Sequence, residues 1–252
     1  NMSCIITYNG QNFTQEDFLD YLKSQIPTSM NNPSEFTNHS GGATGSDIQW
    51  DNIGREFGMI NNKHYWTGEG IRPAHGNTII DSIDYQEGRF ESAKAAKRNF
   101  GYQYAAMKDS RLIRNWSQVK HSDAVFAIGK IVQTGEKIFP NIPNDTRTAV
   151  NPSVTGGTGY AVGMAINHNK PVYVFDQEQN KWFTWSKEEN NFIQIETPIL
   201  TKNFAGIGTR QINENGKQAI RDVYKKTFNS QQTSIDTKTK NETNTEKKIE
   251  PI

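Results

Sequence analysis

The chain has 252 residues, with 28 Lys and Arg against 27 Asp and Glu and a formal net charge of +1. That balance supplies no global field for attracting nucleic acid or an anionic membrane surface. A single cysteine, Cys4, excludes an internal disulfide and a multi-cysteine zinc site. No apolar run reaches the roughly 18 residues of a membrane span, and the N-terminus does not read as a signal peptide, so a cytoplasmic protein without membrane contact is expected.

Asn1, ahead of Met2, is set aside as extraneous. "SCIITYNG" reads as a strand closing on an Asn-Gly turn. Thr14 with Asp17 resembles a capping box with Asp in place of Glu. Phe18, Leu19, Leu22 and Ile26 then give a helical stripe that Pro27 stops. Residues 2–33 are accordingly predicted to form a small strand-helix appendage, residues 34–228 the main domain, and residues 229–252 a polar, disordered tail with almost nothing to bury.

Within the main domain, Phe36 to Ser40 reads as a short strand. Asp47 starts a helix with Trp50, Ile53 and Phe57 on one face and Gly58 as its cap. Residues 59–66 read as a strand and 67–80 as a loop. A helix is predicted from Asp84 to about Phe100, and a second helical piece from Arg111 to Val119. "DAVFAI" (123–128) and "PVYVFD" (171–176) are short apolar runs of the buried-strand type. Between them, residues 129–153 carry three prolines and form a long excursion of the kind that serves as a lid or partner contact. A helix with Val162, Ala165 and Ile166 inward follows. "KWFTW" and "NFIQI" suit a hairpin, "FAGIG" a strand end, and residues 216–228 a last helix. This alternation argues for an α/β, Rossmann-like domain with a mostly parallel sheet flanked by helices.

Two glycine turns stand at strand-to-helix junctions: "HSGGATGSD" near residue 40 and "TGGTGY" at 155–160. In a parallel sheet both belong on the edge where ligands bind, beyond the carboxyl ends of the strands. Glycine lets a backbone approach a ligand closely, and the free N–H groups of a helix start attract anions. Ser40, Thr44, Ser46 and Thr158 add hydroxyl donors, and Ala43 completes the first turn. Neither turn is followed by Gly-Lys-Ser/Thr, and neither is GxGxxG, so neither is a P-loop or a dinucleotide fingerprint. Asp47 caps its helix or bonds a ribose hydroxyl. Tyr160 is the preferred stacking group for a base, ahead of Trp50, Tyr65 and Trp66; the spacing of Trp50 assigns it to the core. The segment 89–120 holds eight Lys or Arg against two acids, either as solvated helix faces or as a phosphate-facing patch. The histidines (39, 64, 75, 121, 168) lack the spacing of a helical metal site, so no metal is expected.

"SGGATGSD", "SRLIRNWSQVKHSDAVFAI" and "TGGTGYAVGMAINHNKPVYVF" together resemble, in this order, the SLOG superfamily. That group contains LOG-type nucleotide phosphoribohydrolases, the core of DNA-processing protein A and nucleotide-sensing domains of bacterial immunity. The likeness covers residues 35–176, and the wording of the chain also resembles proteins of gut bacteria and their phages. The resemblance implies nucleotide binding through Ser40, Gly41, Gly42, Gly45 and Asp47, through Arg114 and Asn115, and through Gly156, Gly157 and Gly159. A similar Gly-Ser-Arg begins many such domains; here "FAGIGTR" lies late in the chain, as a permuted strand that brings Arg210 to the pocket or as a plain turn. Where the phosphoribohydrolases carry a Glu after the second turn, this chain has Gly163. The Arg and His of the DNA-binding branch correspond to Thr44 and Asp51, which argues against nucleic acid.

The expectation is therefore a protein that binds a nucleotide or nucleotide-derived signal, such as an ADP-ribose derivative, without turnover and without a cofactor. Phosphates would be neutralised by Arg111, Arg114 or Arg210. It would sense or sequester the ligand, as an immune-signal sensor or a phage anti-defence sponge in a host cytoplasm, and pair with copies of itself through helices. The alternatives are a nucleoside-phosphate hydrolase using Asp47, Glu87 or Asp109, and a nucleic-acid or protein-interaction module using the basic 89–120 segment.

Overall fold

A computed structural model describes residues 5–8, 11–18, 31–73, 75–101 and 104–228. The chain divides into two compact units, residues 1–32 and 33–252. In the first, β1 (Ile5–Tyr8) pairs antiparallel with β2 (Gln11–Thr14), a partner strand that the sequence reading lacked. The Thr14 hydroxyl accepts the Asp17 N–H at 3.1 Å, and residues 15–18 are helical. Cys4, the Asn9-Gly10 turn, the stripe residues Leu19, Leu22 and Ile26, Pro27 and the tail 229–252 lie outside the described residues.

The second unit is built on an eight-stranded sheet. Its strands are β3 (Thr37–Ser40), β4 (Asn61–Trp66), β5 (Asn77–Ile79), β6 (Ala124–Gly129), β9 (Val172–Asp176), β10 (Lys181–Ser186), β11 (Asn191–Ile195) and β12 (Asn203–Gly208), in the order 11-10-9-6-12-3-4-5. The six strands from β9 to β5 are parallel, and the β10–β11 hairpin adds an antiparallel edge. Two-residue strands β7 (Ile131–Val132) and β8 (Ser153–Val154) close the base of the 129–153 excursion.

The faces of the sheet follow from a period of two along buried strands. Ala124, Phe126 and Ile128 of β6 join Phe204 and Phe175 in one core; Val125 and Ala127 join Ala205, Val172 and Val174 in the other. The first core is covered by α1 (Ser46–Glu56) and α6 (Glu214–Phe228). The second is covered by α2 (Ser82–Phe100), α4 (Asn115–Lys120) and α5 (Thr158–Asn167), with the one-turn α3 (Ser110–Ile113) before α4. Trp50 of α1 is fully buried, donates its indole N–H to the Ile207 carbonyl at 3.2 Å, and accepts the Tyr224 hydroxyl on its own carbonyl at 2.7 Å. A Cβ at Gly206 would meet the Trp50 ring at 2.7 Å, so glycine there lets the ring lie against the strand.

Two local readings are corrected, and one left open is decided. The 67–80 segment contains β5, a three-residue edge strand too short to leave a pattern. The Arg111–Val119 helix is two pieces that meet at Arg114. "FAGIG" is a central strand, inserted parallel between β3 and β6, which settles its return to the sheet.

Candidate functional site

The insertion of β12 creates a switch point. β3 leads to α1 on one face of the sheet, while β6, by way of the excursion, leads to α5 on the other. Ligand crevices in open α/β sheets form where the connections diverge in this way. Above the end of β12 lies a cleft of about 450 Å³, within the usual range for small-molecule sites. Of the residues singled out in the sequence, its walls bring together Ala43, Asp47, Asp109, Arg111, Arg114, Asn115, Thr155 to Thr158, Tyr160 and Arg210. Trp50, Tyr65 and Trp66 are not among them.

The first glycine turn is largely satisfied from within. The β3–β12 ladder carries two residue pairs, and beyond it side chains take over: Asn38 Oδ1 accepts the Gly206 N–H at 2.9 Å, and the Ser40 hydroxyl donates to the Gly206 carbonyl at 2.6 Å. The Ser46 hydroxyl donates to the Thr209 carbonyl at 2.7 Å. The expectation that Ser40 and Ser46 offer donors to a ligand is therefore corrected, because each hydroxyl proton is committed to the strand that the turn must hold. Gly41, Gly42 and Gly45 shape the turn and are not cleft wall, and Thr44 is exposed outside it. At Gly45, where φ is 100°, a Cβ would sit 2.5 Å from the Arg210 Cα, so glycine admits the strand end that carries Arg210.

Asp47 holds this junction together. Its carboxylate accepts the Ala43 N–H and the Gly208 N–H, both at 3.2 Å, and it is 6% exposed. Burial pushes its pKa up, against the opposing pull of Arg114 and the two N–H donors. Arg114 donates to the Gly41 carbonyl and, at 3.4 Å, to the Tyr65 carbonyl. The residue lines the cleft, while its Nε is buried out of reach of solvent with no acceptor among the described residues. Burial lowers the guanidinium pKa from its ordinary value, and Asp47 counters that shift.

The second turn is open. The N–H groups of Thr155 and Gly156 are taken by the Lys130 carbonyl at 3.0 Å and the Ile138 carbonyl at 2.9 Å. Those of Gly157 and Thr158, at the start of α5, have no acceptor among the described residues. A Cβ at Gly157 would meet nothing within 4 Å, whereas one at Gly159 would lie 2.0 Å from the Val154 carbonyl oxygen. Gly157 thus faces space and Gly159 permits packing. Asn115 Nδ2 donates to the Gly157 carbonyl at 3.3 Å, and Asn99 Nδ2 to the Gly159 carbonyl at 2.9 Å, which fixes the turn from below.

Four arginines and two aspartates line the cleft, so it carries two excess positive charges with both acids ionised. Arg111 is held bidentately by Asp109 at 3.0 and 2.8 Å. Arg147, which the sequence reading missed, is held by Asp145 at 2.7 Å and lies 3.9 Å from the centre of the Phe139 ring. The Arg210 side chain is exposed and makes no hydrogen bond or ion pair among the described residues. The rest of the basic 89–120 segment disperses: Lys94 pairs with Glu91, Lys120 with Asp84 and Glu87, and Arg98 donates to the Pro152 carbonyl.

The three carboxylates considered for acid–base work differ in setting. Glu87 lies outside the cleft wall, and the Trp116 indole N–H and Lys120 hold its pKa down. Arg111 does the same for Asp109. Asp47 alone of the three has its pKa raised. Gly163 faces Asn99 and Ala95 of α2 at 3.0 and 3.3 Å from an added Cβ, beneath the second turn. Among the described residues no cluster of three or more His, Cys, Asp or Glu side chains is placed to hold a metal ion, and no helix is long and apolar enough to cross a membrane.

Phe139, Pro140, Asn141 and Ile142 of the excursion form the outer wall of the cleft. No family model, curated protein or solved structure matches the chain.

Proposed function

We propose that the cleft binds a nucleotide or nucleotide-derived small molecule by its phosphate and holds it intact. The observation that carries this reading is the convergence of open amides at Gly157 and Thr158 with the side chains of Arg210, Arg111 and Arg114 on one cleft. Helix-start amides and bidentate guanidinium groups suit phosphate in particular. Membership of the SLOG superfamily, with a sensing or sequestering role, belongs to the same proposal.

Retention without turnover is supported by the lowered pKa of Asp109 and by the place of Glu87 outside the cleft wall. A general acid at neutral pH needs the opposite shift. The second reading, a nucleoside-phosphate hydrolase, is favoured by one observation: Asp47 is a buried carboxylate with a raised pKa in the cleft wall.

Thermal melting with a panel of nucleotides tests binding, since ligand at 100 times its Kd adds about 2.7 kcal/mol of stability. The bound compound is then released by denaturation and identified. Recovery of intact compound at no more than one equivalent per chain supports retention. Catalytic release of base or ribose phosphate, lost in Asp47→Ala, transfers the case to the hydrolase. A panel that leaves the melting temperature unmoved removes the nucleotide reading.

A further inference from the structure

A second cavity, of about 330 Å³, shares Arg147 and Tyr160 with the phosphate cleft. Its chemistry differs. Ala96 and Phe100 of α2 and Ala105 and Ala106 of the following turn supply small or flat apolar walls, and the loop residues Asn144 to Thr146 supply a polar rim. Phe100 meets Tyr160 edge-on, with ring centres 6.0 Å apart at 79°, and meets Phe139 likewise at 5.9 Å and 76°. The Arg147 guanidinium lies 3.9 Å from the Phe139 ring centre and 5.4 Å from that of Phe100, and Asp145 grips it bidentately. A guanidinium fixed beside aromatic rings, with polar groups at the rim, is an arrangement that accepts planar nitrogen heterocycles, which stack on such planes and hydrogen-bond at their edges.

Resting on the phosphate reading above, we propose that this cavity is the subsite for the nucleobase of the bound molecule. Tyr160 stands one turn beyond Gly157 in α5, about 4.5 Å of axial rise from the open amides. A pentose spans that separation between a 5′-phosphate and a base. The excursion 129–153 thereby acquires a role: its Arg147, with Tyr160 of α5, forms a wall common to both ends of the ligand, and its Phe139 lines the phosphate end. Base discrimination comes from the Asn144–Thr146 rim, and affinity from the arginines and the second glycine turn.

The test uses the full chain with four nucleosides (adenosine, guanosine, cytidine, uridine), their 5′-monophosphates and ribose 5-phosphate, titrated calorimetrically. Ala105 and Thr146 are exposed at the mouth of the cavity, so Ala105→Trp and Thr146→Trp each fill it without touching the core. The expected result is a loss of at least about tenfold in affinity for the best monophosphate in both variants, with ribose 5-phosphate within about twofold of its original affinity. Monophosphate binding that is unchanged in both Trp variants, yet lost in Gly157→Asp, overturns the subsite and leaves the phosphate reading standing. Nucleoside binding that Trp blocks and Gly157→Asp spares, with no binding of ribose 5-phosphate, keeps the subsite and removes the phosphate reading. If neither nucleosides nor monophosphates bind the unaltered chain, both are wrong.

Discussion

Gly157→Asp separates binding from stability at a single position. The residue is exposed, has φ −63° and ψ −30°, and an added Cβ meets nothing within 4 Å. A side chain therefore fits without strain. It sits at the start of α5, where a carboxylate interacts favourably with the helix dipole by about 0.3–1 kcal/mol. Replacing glycine also restricts the unfolded chain. The variant is predicted to melt at or slightly above the temperature of the parent. For an anionic ligand the effect is opposite. A new negative charge about 4–6 Å from a phosphate, at an effective dielectric of about 20–40, costs roughly 1.4–4 kcal/mol, or about tenfold to a thousandfold in Kd. Gly157→Asn, nearly the same shape without the charge, should lose far less. Calorimetric titration together with thermal melting reads both quantities. An aspartate variant that binds nucleotide as the parent does would remove the second turn from the site, and one that unfolds would refute the claim of open space.

Two further outcomes follow from the core and from a charged pair. Trp50→Ala leaves a cavity between α1 and the sheet and should cost about 3–5 kcal/mol in urea unfolding; a loss below 1 kcal/mol would mean that the ring is not the anchor its burial implies. Asp84 is buried and accepts from Lys120 at 2.7 Å and from His121 at 2.8 Å. Burial acts to raise its pKa, and the two partners together outweigh burial, so it lies below the ordinary carboxylate value. Its contribution, about 1.5–3 kcal/mol for hydrogen bonds to a charge, is present above about pH 4 and fades as the pH falls through the lowered value. Asp84→Asn should be less stable than the parent at pH 7, with the difference shrinking in acid; a difference independent of pH would contradict that account.

The elements that were legible in the sequence are those whose signal is local. "DAVFAI" and "PVYVFD" are continuous apolar runs because both of their faces are buried. The two glycine turns stood out because turn chemistry is written in consecutive residues. β5 left no trace, since its three residues lie at an edge with Ile79 exposed, where no burial pattern is imposed. The central place of β12 was equally hidden. "FAGIGTR" stayed open between a returning strand and a plain turn because its glycines act at long range: Gly206 makes room for Trp50, and a Cβ on Gly208 would strike the Ile128 carbonyl at 2.4 Å. Those are contacts with residues far away in the chain. Arg147 carries no periodicity, and only the length of its loop marked the region. Ser40 and Ser46 were read as donors because their hydroxyls stand in a glycine turn; the strand that takes their protons arrives more than 150 residues later.

One strand thus ties the core to the site. β12 and Thr209 just beyond it accept the Trp50 indole on Ile207, the Ser40 hydroxyl on Gly206 and the Ser46 hydroxyl on Thr209, and β12 donates from Gly208 to Asp47. The next residue, Arg210, enters the cleft. None of these groups could move without disturbing the others, because each buried donor would lose its acceptor. The same rigidity explains why a buried carboxylate is tolerated beside a cleft. Asp47 costs desolvation, but it fixes the end of β12, the first turn and the field on Arg114 together. On the proposed reading a phosphate would meet an Arg114 already held by the Gly41 and Tyr65 carbonyls, so the entropy of ordering that side chain is lost on folding rather than on binding, whereas the exposed Arg210 would be ordered only by the ligand.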